Sequence, residues 1–250
     1  MKSVLVRAPL LTQSGYGVHS RQLFQYCLSR PDWNVTVQPL PWGLTPWIIN
    51  TQYENGIYGK IIEHTKPLDA KFGKFDITFQ VQLPHEWDNN LGHYNVGVTA
   101  GVETDMCSKE WANVHRNKMD LLIVPSKHTK RGFQKSNASG DENTPIKVVP
   151  EAYFSDLLNN PTKDPLENLP TNKNFLMVGT LTSDDPECDR KNLFNSIKWF
   201  LEAFKGQENV GLVVKTSKGR DTTIDRELVR KTLCRLKGQV TEKRLPKLYM

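Results

Sequence analysis

The chain has 250 residues, of which 38% are hydrophobic and 24% are charged. This composition is ordinary for a soluble globular protein and excludes disorder of the whole chain, and the length suits one large α/β domain or two smaller ones. The 33 lysines and arginines outnumber the 27 acidic residues, which gives a formal net charge of +6. That excess favours an anionic partner such as a phosphorylated metabolite or an anionic membrane face. Because the basic residues are scattered, without a Gly/Arg tract or zinc-finger spacing, no nucleic-acid partner is predicted.

The cysteines and the N-terminus exclude further classes of protein. The 4 cysteines form no C-x-x-C pair and have no histidine at ligand spacing, so we predict neither a metal site nor a disulfide framework. Reduced thiols are typical of a cytoplasmic protein. The first apolar run is cut by Arg7 and is too short for a signal peptide, and no run reaches transmembrane length. No cofactor is predicted.

The elements of a parallel sheet follow one another from the N-terminus. A strand at Ser3–Arg7 leads through a loop into a helical pattern that ends at Arg30, and Trp33–Gln38 is the next strand. This β-loop-α-β opening is typical of a doubly wound sheet. Further short apolar runs have the composition of buried parallel strands. They are Phe75–Val81, Tyr94–Thr99, Leu121–Val124 and Ile146–Val149.

A change of composition predicts a second domain. Residues 159–174 are rich in proline and asparagine, and we place a linker at 161–174 between an N-terminal domain, 1–160, and a C-terminal domain, 175–250. The second domain begins like the first, with a strand at Phe175–Val178, an amphipathic helix and another strand at Val210–Lys215. The predicted fold class is therefore α/β, with two Rossmann-like doubly wound parallel sheets, of which the second is incomplete.

Two glycines follow the first strand at the start of the predicted helix. Gly15 and Gly17 permit close backbone approach, while a helix N-terminus offers free N–H groups and a positive dipole end to an anion. The G-x-G-x-x-G fingerprint is incomplete because Ser20 stands at its last position, so a plain tight turn remains an alternative. Gln38 and Pro39 close the second strand without an acidic residue, which disfavours a nicotinamide-dependent oxidoreductase.

Ionisable side chains follow the other predicted strands, at the edge where open parallel sheets bind ligands. His85 is a candidate general acid or base and Glu103 a candidate catalytic carboxylate, with a capped loop and an acidic helix N-terminus as structural alternatives. In the second domain, Arg190 and Lys191 precede a helix and Lys215 ends a strand. These cations suit a nucleotide diphosphate, although exposed loop lysines are common.

Segments from most of the chain together resemble the retaining glycosyltransferases of the GT-B fold, the glycogen-synthase-like group. They are SGYGVHSRQLFQYCL, VGVTAGVETDMCSKEWANVHRNKMDLLIVPSKHTKRGFQKS, IKVVPEAYF and FLMVGTLTSDDPECDRKNLFNSIKWFLEAF, in the family's order. The resemblance implies two Rossmann-like domains facing a cleft, with no tightly bound metal. It also implies transfer of a hexose, with retention, from a nucleotide-diphosphate sugar to a hydroxyl of a glycan, lipid or protein acceptor. A peripheral membrane contact would suit the net charge.

Position by position, the resemblance assigns roles to the candidate residues. Gly15 and Gly17 approach the donor diphosphate from the N-terminal domain, and Lys191 with Arg190 holds it from the C-terminal domain. His85 lies on the acceptor side.

The chain departs from the family pattern in two places. Thr180 stands where the family usually has an arginine, which leaves open whether Arg190 takes its place. The sequence ends at Met250, before the Glu-x7-Glu segment that grips the donor in this family. We therefore expect a fragment of a longer transferase. The alternative is a degenerate, non-catalytic homologue that binds a sugar or a partner.

Overall fold

The computed structural model describes residues 1–68, 73–136, 144–153, 168–183, 185–219, 222–238 and 247–249. The chain divides into two units, Met1–Tyr153 and Phe154–Met250. The predicted domain end at residue 160 and the first half of the predicted linker, 161–174, lie outside the described residues. The last two residues of that linker, 173 and 174, already belong to a strand of the second unit.

The first unit is a parallel sheet whose strands are connected mostly through helices. Its strands are β1 (Lys2–Ala8), β2 (Trp33–Pro39), β3 (Phe75–Val81), β4 (Gly92–Val98), β5 (Leu121–Val124) and β6 (Ile146–Val148). Its described helices are α1 (Gly15–Leu28), α2 (Tyr53–His64), α3 (Lys109–Lys118) and α4 (Lys127–Ser136). The 6 strands lie in the order β2-β1-β3-β4-β5-β6, and every adjacent pair is parallel.

The strand order reverses at β1, which pairs with β2 on one side and β3 on the other. Beyond β2, Thr65 forms a single parallel bridge to Val37, and the backbone N–H of Lys66 donates to the Val37 carbonyl oxygen at 3.3 Å. Thr65 therefore lies beside β2, where a further strand would extend the sheet. The result is a doubly wound sheet, whose ligand crevice is expected outside the carboxyl ends of β1 and β3.

Apolar side chains cover both faces of this sheet. One face packs against α1 and α2 through a cluster that includes Val4, Val6, Phe24, Tyr58 and Ile61. The other face carries a second cluster formed by Trp87, Met119, Leu122, Val124 and Phe133. Because both faces are buried, strands such as β5 read as continuous apolar runs in the sequence.

A short segment replaces a helix between β3 and β4. We call residues 82–91 the strap. The side chain of Gln80 holds it by donating to the Asp88 carbonyl oxygen at 2.6 Å and accepting from the Asp88 N–H at 2.8 Å. Trp87 is buried in the strap and donates from Nε1 to the Gln80 carbonyl oxygen at 3.0 Å. A Cβ on Gly97 would stand 2.7 Å from the Trp87 ring, so close packing of the strap requires glycine there.

The second unit repeats the parallel arrangement. Its described elements are β7 (Lys173–Thr180), α5 (Leu193–Ala203), β8 (Val210–Ser217), α6 (Thr223–Gly238) and β9 (Lys247–Tyr249). The strands pair in parallel in the order β7-β8-β9. Both helices pack on one face of this sheet, where Ile197 and Leu201 of α5 meet Leu212 and Val214 of β8.

Candidate functional site

The first turn of α1 follows β1 at the carboxyl edge of the first sheet. The Ser14 hydroxyl accepts a hydrogen bond from the backbone N–H of Gly17 at 2.9 Å and caps the helix. A Cβ on Gly17 would collide with the carbonyl oxygen of Thr12, whereas a Cβ on Gly15 would meet nothing within 4 Å. Gly17 is therefore required by local packing, and Gly15 is the glycine that leaves open space beside the backbone.

A buried arginine fixes the loop before these glycines, and sequence reasoning missed it. Arg21 is 2% exposed, and its Nη1 donates to the carbonyl oxygens of Leu10 at 3.0 Å and Thr12 at 2.9 Å. Its Nε and Nη2 donate to the Glu54 carboxylate at 2.7 and 3.0 Å. The guanidinium also lies 4.9 Å from the ring centroid of Tyr58. An arginine with four hydrogen bonds thus holds the backbone of the loop that leads to Gly15.

Tyr16 connects α1 to the loop after β4. Its hydroxyl accepts a hydrogen bond from the Ala100 N–H at 3.0 Å and lies 2.9 Å from the Thr99 hydroxyl. Its ring stacks on Trp42 at 4.0 Å between centroids. Burial raises the pKa of Tyr16 more than these hydrogen bonds lower it. The candidate carboxylate Glu103 is exposed in this same loop, three residues after Ala100.

His85 is exposed on the strap, in a 3₁₀ turn formed by Pro84–Glu86. Its Nδ1 accepts a hydrogen bond from Trp111 Nε1 at 3.2 Å, and the rings stack with centroids 6.2 Å apart. An indole nitrogen can only donate, so Nδ1 of the neutral imidazole carries no proton and Nε2 carries it. Glu86 accepts from the Leu83 N–H at 3.0 Å. The strap therefore presents His85 as a hydrogen-bond donor through Nε2.

The segment after β6 is also held against α1. The Gln22 amide donates to the Ala152 carbonyl oxygen at 2.7 Å and accepts from the Ala152 N–H at 3.2 Å. His19 Nδ1 lies 3.3 Å from a carboxylate oxygen of Glu151. Burial lowers the pKa of His19, and this effect outweighs the raising effect of the Glu151 carboxylate. Sequence reasoning did not single out this pair, because its partners are far apart in the chain.

In the second unit, a buried carboxylate organises the loop between β7 and α5. Asp189 is 5% exposed; one carboxylate oxygen accepts from the Thr182 hydroxyl at 2.8 Å, and the other accepts from the Leu193 N–H at 2.8 Å. Burial raises the pKa of Asp189, but hydrogen bonds from Thr182, Leu193 and Lys191 together bring it below its ordinary value. The ionised Asp189 thus fixes both ends of the loop.

The predicted diphosphate-binding cations of this unit fall in two places. Arg190 and Lys191 are exposed at the end of the Asp189 loop, directly before α5. Asn192 then adopts a left-handed backbone, with φ 53° and ψ 32°, which asparagine tolerates better than most residues. Lys215 is exposed on β8, on the sheet face opposite α5, because its neighbour Val214 packs into the α5 core and side chains alternate along a strand. The structure therefore brings Arg190 and Lys191 together but separates Lys215 from their helix.

Neither a metal cluster nor a membrane-crossing helix is found in the described ranges. No group of three or more histidine, cysteine, aspartate or glutamate side chains in those ranges could hold a metal ion. None of the helices described is long and apolar enough to cross a bilayer.

Solved structures resemble the chain over nearly its whole length. HepE from Anabaena in complex with UDP and glucose matches with a TM-score of 0.55 at 11% identity, over 99% of this chain and 69% of that one. The same protein with UDP-glucose matches with a TM-score of 0.53 at 11% identity, over 99% and 68%.

A trehalose-6-phosphate synthase structure from E. coli, bound with UDP-2-fluoro glucose, matches with a TM-score of 0.51 at 12% identity, over 99% of this chain and 73% of that one. No protein-family model and no curated protein sequence matches the chain. Because the matches cover 68–73% of the solved chains but 99% of this chain, this chain is shorter than they are. Its two parallel sheets and this likeness confirm the predicted fold class: the chain has the GT-B fold of these glycosyltransferases.

Proposed function

We propose that the chain is a glycosyltransferase that takes a hexose from a nucleotide-diphosphate sugar and transfers it to an acceptor hydroxyl with retention. The observation that carries the proposal is the fold shared with HepE, which binds UDP-glucose. The Asp189 loop supports it, because it holds Arg190 and Lys191 directly before α5. A cytoplasmic location and a glycan, lipid or protein acceptor belong to the same proposal.

In this proposal the second unit binds the leaving group. Lys191 supplies a point charge, and Arg190 supplies a planar fork of donors that matches phosphate oxygens. As the bond between the anomeric carbon and the diphosphate oxygen breaks, negative charge grows on the diphosphate, and fixed cations stabilise it. Lys215 has a lesser part, because it lies on the opposite sheet face from α5.

The first unit acts on the acceptor and the sugar. The acceptor oxygen bonds to the anomeric carbon on the face that the diphosphate leaves, and its proton passes to the departing phosphate oxygen. His85 donates a hydrogen bond through Nε2, because Trp111 occupies its Nδ1. Glu103 supplies a carboxylate that orients the acceptor or the sugar. The donor can come close to the backbone of Gly15, since a Cβ placed on this residue would have no atom within 4 Å.

Direct binding tests the donor site. UDP is titrated calorimetrically into the wild type, Lys191→Gln and Lys205→Gln, the last being an exposed lysine of the same unit outside the Asp189 loop. We expect roughly tenfold weaker binding for Lys191→Gln, because a charge-assisted contact is lost, and no change for Lys205→Gln. Equal affinities in all three proteins would remove Lys191 from the site.

Turnover tests the reaction itself. Nucleotide release is measured with a panel of nucleotide sugars and acceptors, and NMR of the product gives its anomeric configuration. The same configuration in donor and product is expected for retention, whereas the opposite configuration would contradict it. Binding of UDP-sugars without transfer to any acceptor would favour the non-catalytic sugar-binding homologue.

A further inference from the structure

The loop after β4 runs along α4 and is fixed at both ends. Near its start, the Thr129 hydroxyl donates to the Ala100 carbonyl oxygen at 3.0 Å. Near its end, the Cys107 N–H donates to the Ser136 hydroxyl at 2.8 Å. Thr129 and Ser136 lie two turns apart on one side of α4. The loop therefore forms a fixed wall beside the helix.

A cavity of about 180 Å³ lies between this wall and α4, and Asp105, His128, Arg131 and Lys135 line it. The three basic side chains share one face of the helix, because their spacing is i, i+3 and i+7. His128 donates from Nε2 to the Thr104 carbonyl oxygen at 3.1 Å, which holds its ring against the loop. The cavity is thus lined by three basic side chains and one acidic side chain, and the His128 ring is held in place.

The charges in this cavity are not fully matched. Lys135 Nζ lies 2.8 Å from an Asp105 carboxylate oxygen, and the two side chains are 55% and 71% exposed. The hydrogen bond and charge of Lys135 lower the pKa of Asp105. Such exposed pairs contribute little net stability, so Lys135 can exchange its partner for another anion. The Arg131 guanidinium forms no hydrogen bond or ion pair with any residue that the structure describes, and the side chain is exposed.

We propose that this cavity binds the phosphate group of a phosphate monoester, between the guanidinium of Arg131 and the ammonium of Lys135. The planar fork of arginine matches two phosphate oxygens, and lysine adds a point charge. The Asp105 carboxylate competes with the phosphate for Lys135, and its negative charge repels the phosphate. The phosphate belongs either to a soluble metabolite or to a lipid headgroup, which share this chemistry. The site lies wholly in the first unit and depends neither on the proposed transfer reaction nor on Lys191.

Inorganic phosphate is the first probe, and amide chemical shifts of α4 report its binding. We expect Arg131→Gln to weaken binding about tenfold, because a charge-assisted forked contact is lost. Asp105→Asn should tighten binding severalfold, because it removes the repelling carboxylate and frees Lys135. Lys130→Gln is the matched control, since it removes the same charge from the same helix at a position that does not line the cavity.

Two results would overturn the site. One is the absence of phosphate-dependent shifts along α4 in the wild type. The other is equal weakening by Arg131→Gln and Lys130→Gln, which would reduce the effect to the net charge of the helix. Lys191→Gln should leave phosphate binding at α4 unchanged. The test of this cavity is therefore independent of the test of the donor site.

Two further probes identify the source of the phosphate. Arg131-dependent binding of glycerol 3-phosphate would assign the site to a soluble ligand. Arg131-dependent sedimentation with phosphatidylcholine vesicles that contain phosphatidate, but not with vesicles that lack it, would assign the site to a lipid headgroup. Failure of both probes would overturn the assignment to a phosphate monoester.

Discussion

The hydroxyl of Tyr16 lies 2.9 Å from the hydroxyl of Thr99, so the first turn of α1 is bonded to the residue that follows β4, 83 residues away in the chain. The same tyrosine oxygen accepts the N–H of Ala100. Its own proton is therefore available to Thr99. Through this one side chain, the turn of α1 that carries Gly15 and the loop that carries Glu103 are held at one edge of the sheet.

Removing this hydroxyl should destabilise the first unit. Tyr16→Phe keeps the ring that stacks on Trp42 but leaves the Ala100 N–H without its acceptor. We expect a loss of about 1–3 kcal/mol in the free energy of unfolding, measured by urea denaturation. Tyr26→Phe removes an exposed hydroxyl from the same helix and should change stability by less than about 0.5 kcal/mol. Equal effects of the two substitutions would contradict a structural role for the Tyr16 hydroxyl.

Substitutions at the two glycines of α1 should have different effects, one on packing and the other on donor binding. Gly17→Ala forces a methyl group onto the Thr12 carbonyl oxygen and should cost about 1–3 kcal/mol of stability. Gly15→Ala meets open space and should leave the thermal midpoint unchanged. If the backbone of Gly15 approaches the diphosphate as proposed, Gly15→Ala should still weaken UDP binding in calorimetry. Wild-type UDP affinity in the Gly15 variant would exclude this glycine from the donor site.

The strands could be predicted where local sequence alone decides the structure. The strands predicted at Phe75–Val81 and Leu121–Val124 have the same bounds in the structure, because residues buried on both sheet faces form continuous apolar runs. The predicted strand at Phe175–Val178 is longer in the structure, Lys173–Thr180, since its polar ends also pair with β8. The fold class followed from the order of these runs.

The detailed site could not be predicted, because it depends on contacts between distant residues. Arginine is mostly exposed in folded proteins, yet Arg21 is buried and pairs with Glu54, 33 residues away. Glu54 itself has a left-handed backbone, with φ 46°, which no local pattern indicates. Trp111 likewise fixes His85 from another element. The roles of His85 and Glu103 in chemistry remain predictions.

Trp111 should act as a positioning residue for His85. Trp111→Phe keeps an aromatic ring beside the imidazole but removes the Nε1–H that bonds to Nδ1. We expect the neutral imidazole of the wild type to carry its proton on Nε2, and the variant to populate both tautomers. The ¹⁵N chemical shifts of the His85 ring measure this directly, and a merely structural contact would leave them unchanged. Transfer activity should fall in the variant, while UDP affinity stays the same.

Asp189 should determine whether the loop before α5 is ordered. Asp189→Asn replaces one accepting oxygen by an NH₂ group, so either the Thr182 backbone N–H or the Leu193 N–H loses its acceptor. We expect a cost of about 1–3 kcal/mol and faster hydrogen exchange at the Leu193 amide. Asp185→Asn is the control, because Asp185 is an exposed aspartate of the same loop whose carboxylate, among the residues that the structure describes, accepts only from the nearby Glu187 N–H and Cys188 thiol.

The stability lost in Asp189→Asn should depend on pH, and the shifted pKa of Asp189 gives the direction. Because the folded-state pKa of Asp189 is lowered, its carboxylate adds stability above the ordinary value of 3.8, and this contribution is lost as the pH falls through the folded pKa. The stability difference between wild type and Asp189→Asn should therefore be full at neutral pH and shrink below about pH 3.8. UDP affinity should also fall in this variant, since Arg190 and Lys191 lose their fixed loop. Unchanged Leu193 exchange would contradict the role of Asp189, whatever the affinity.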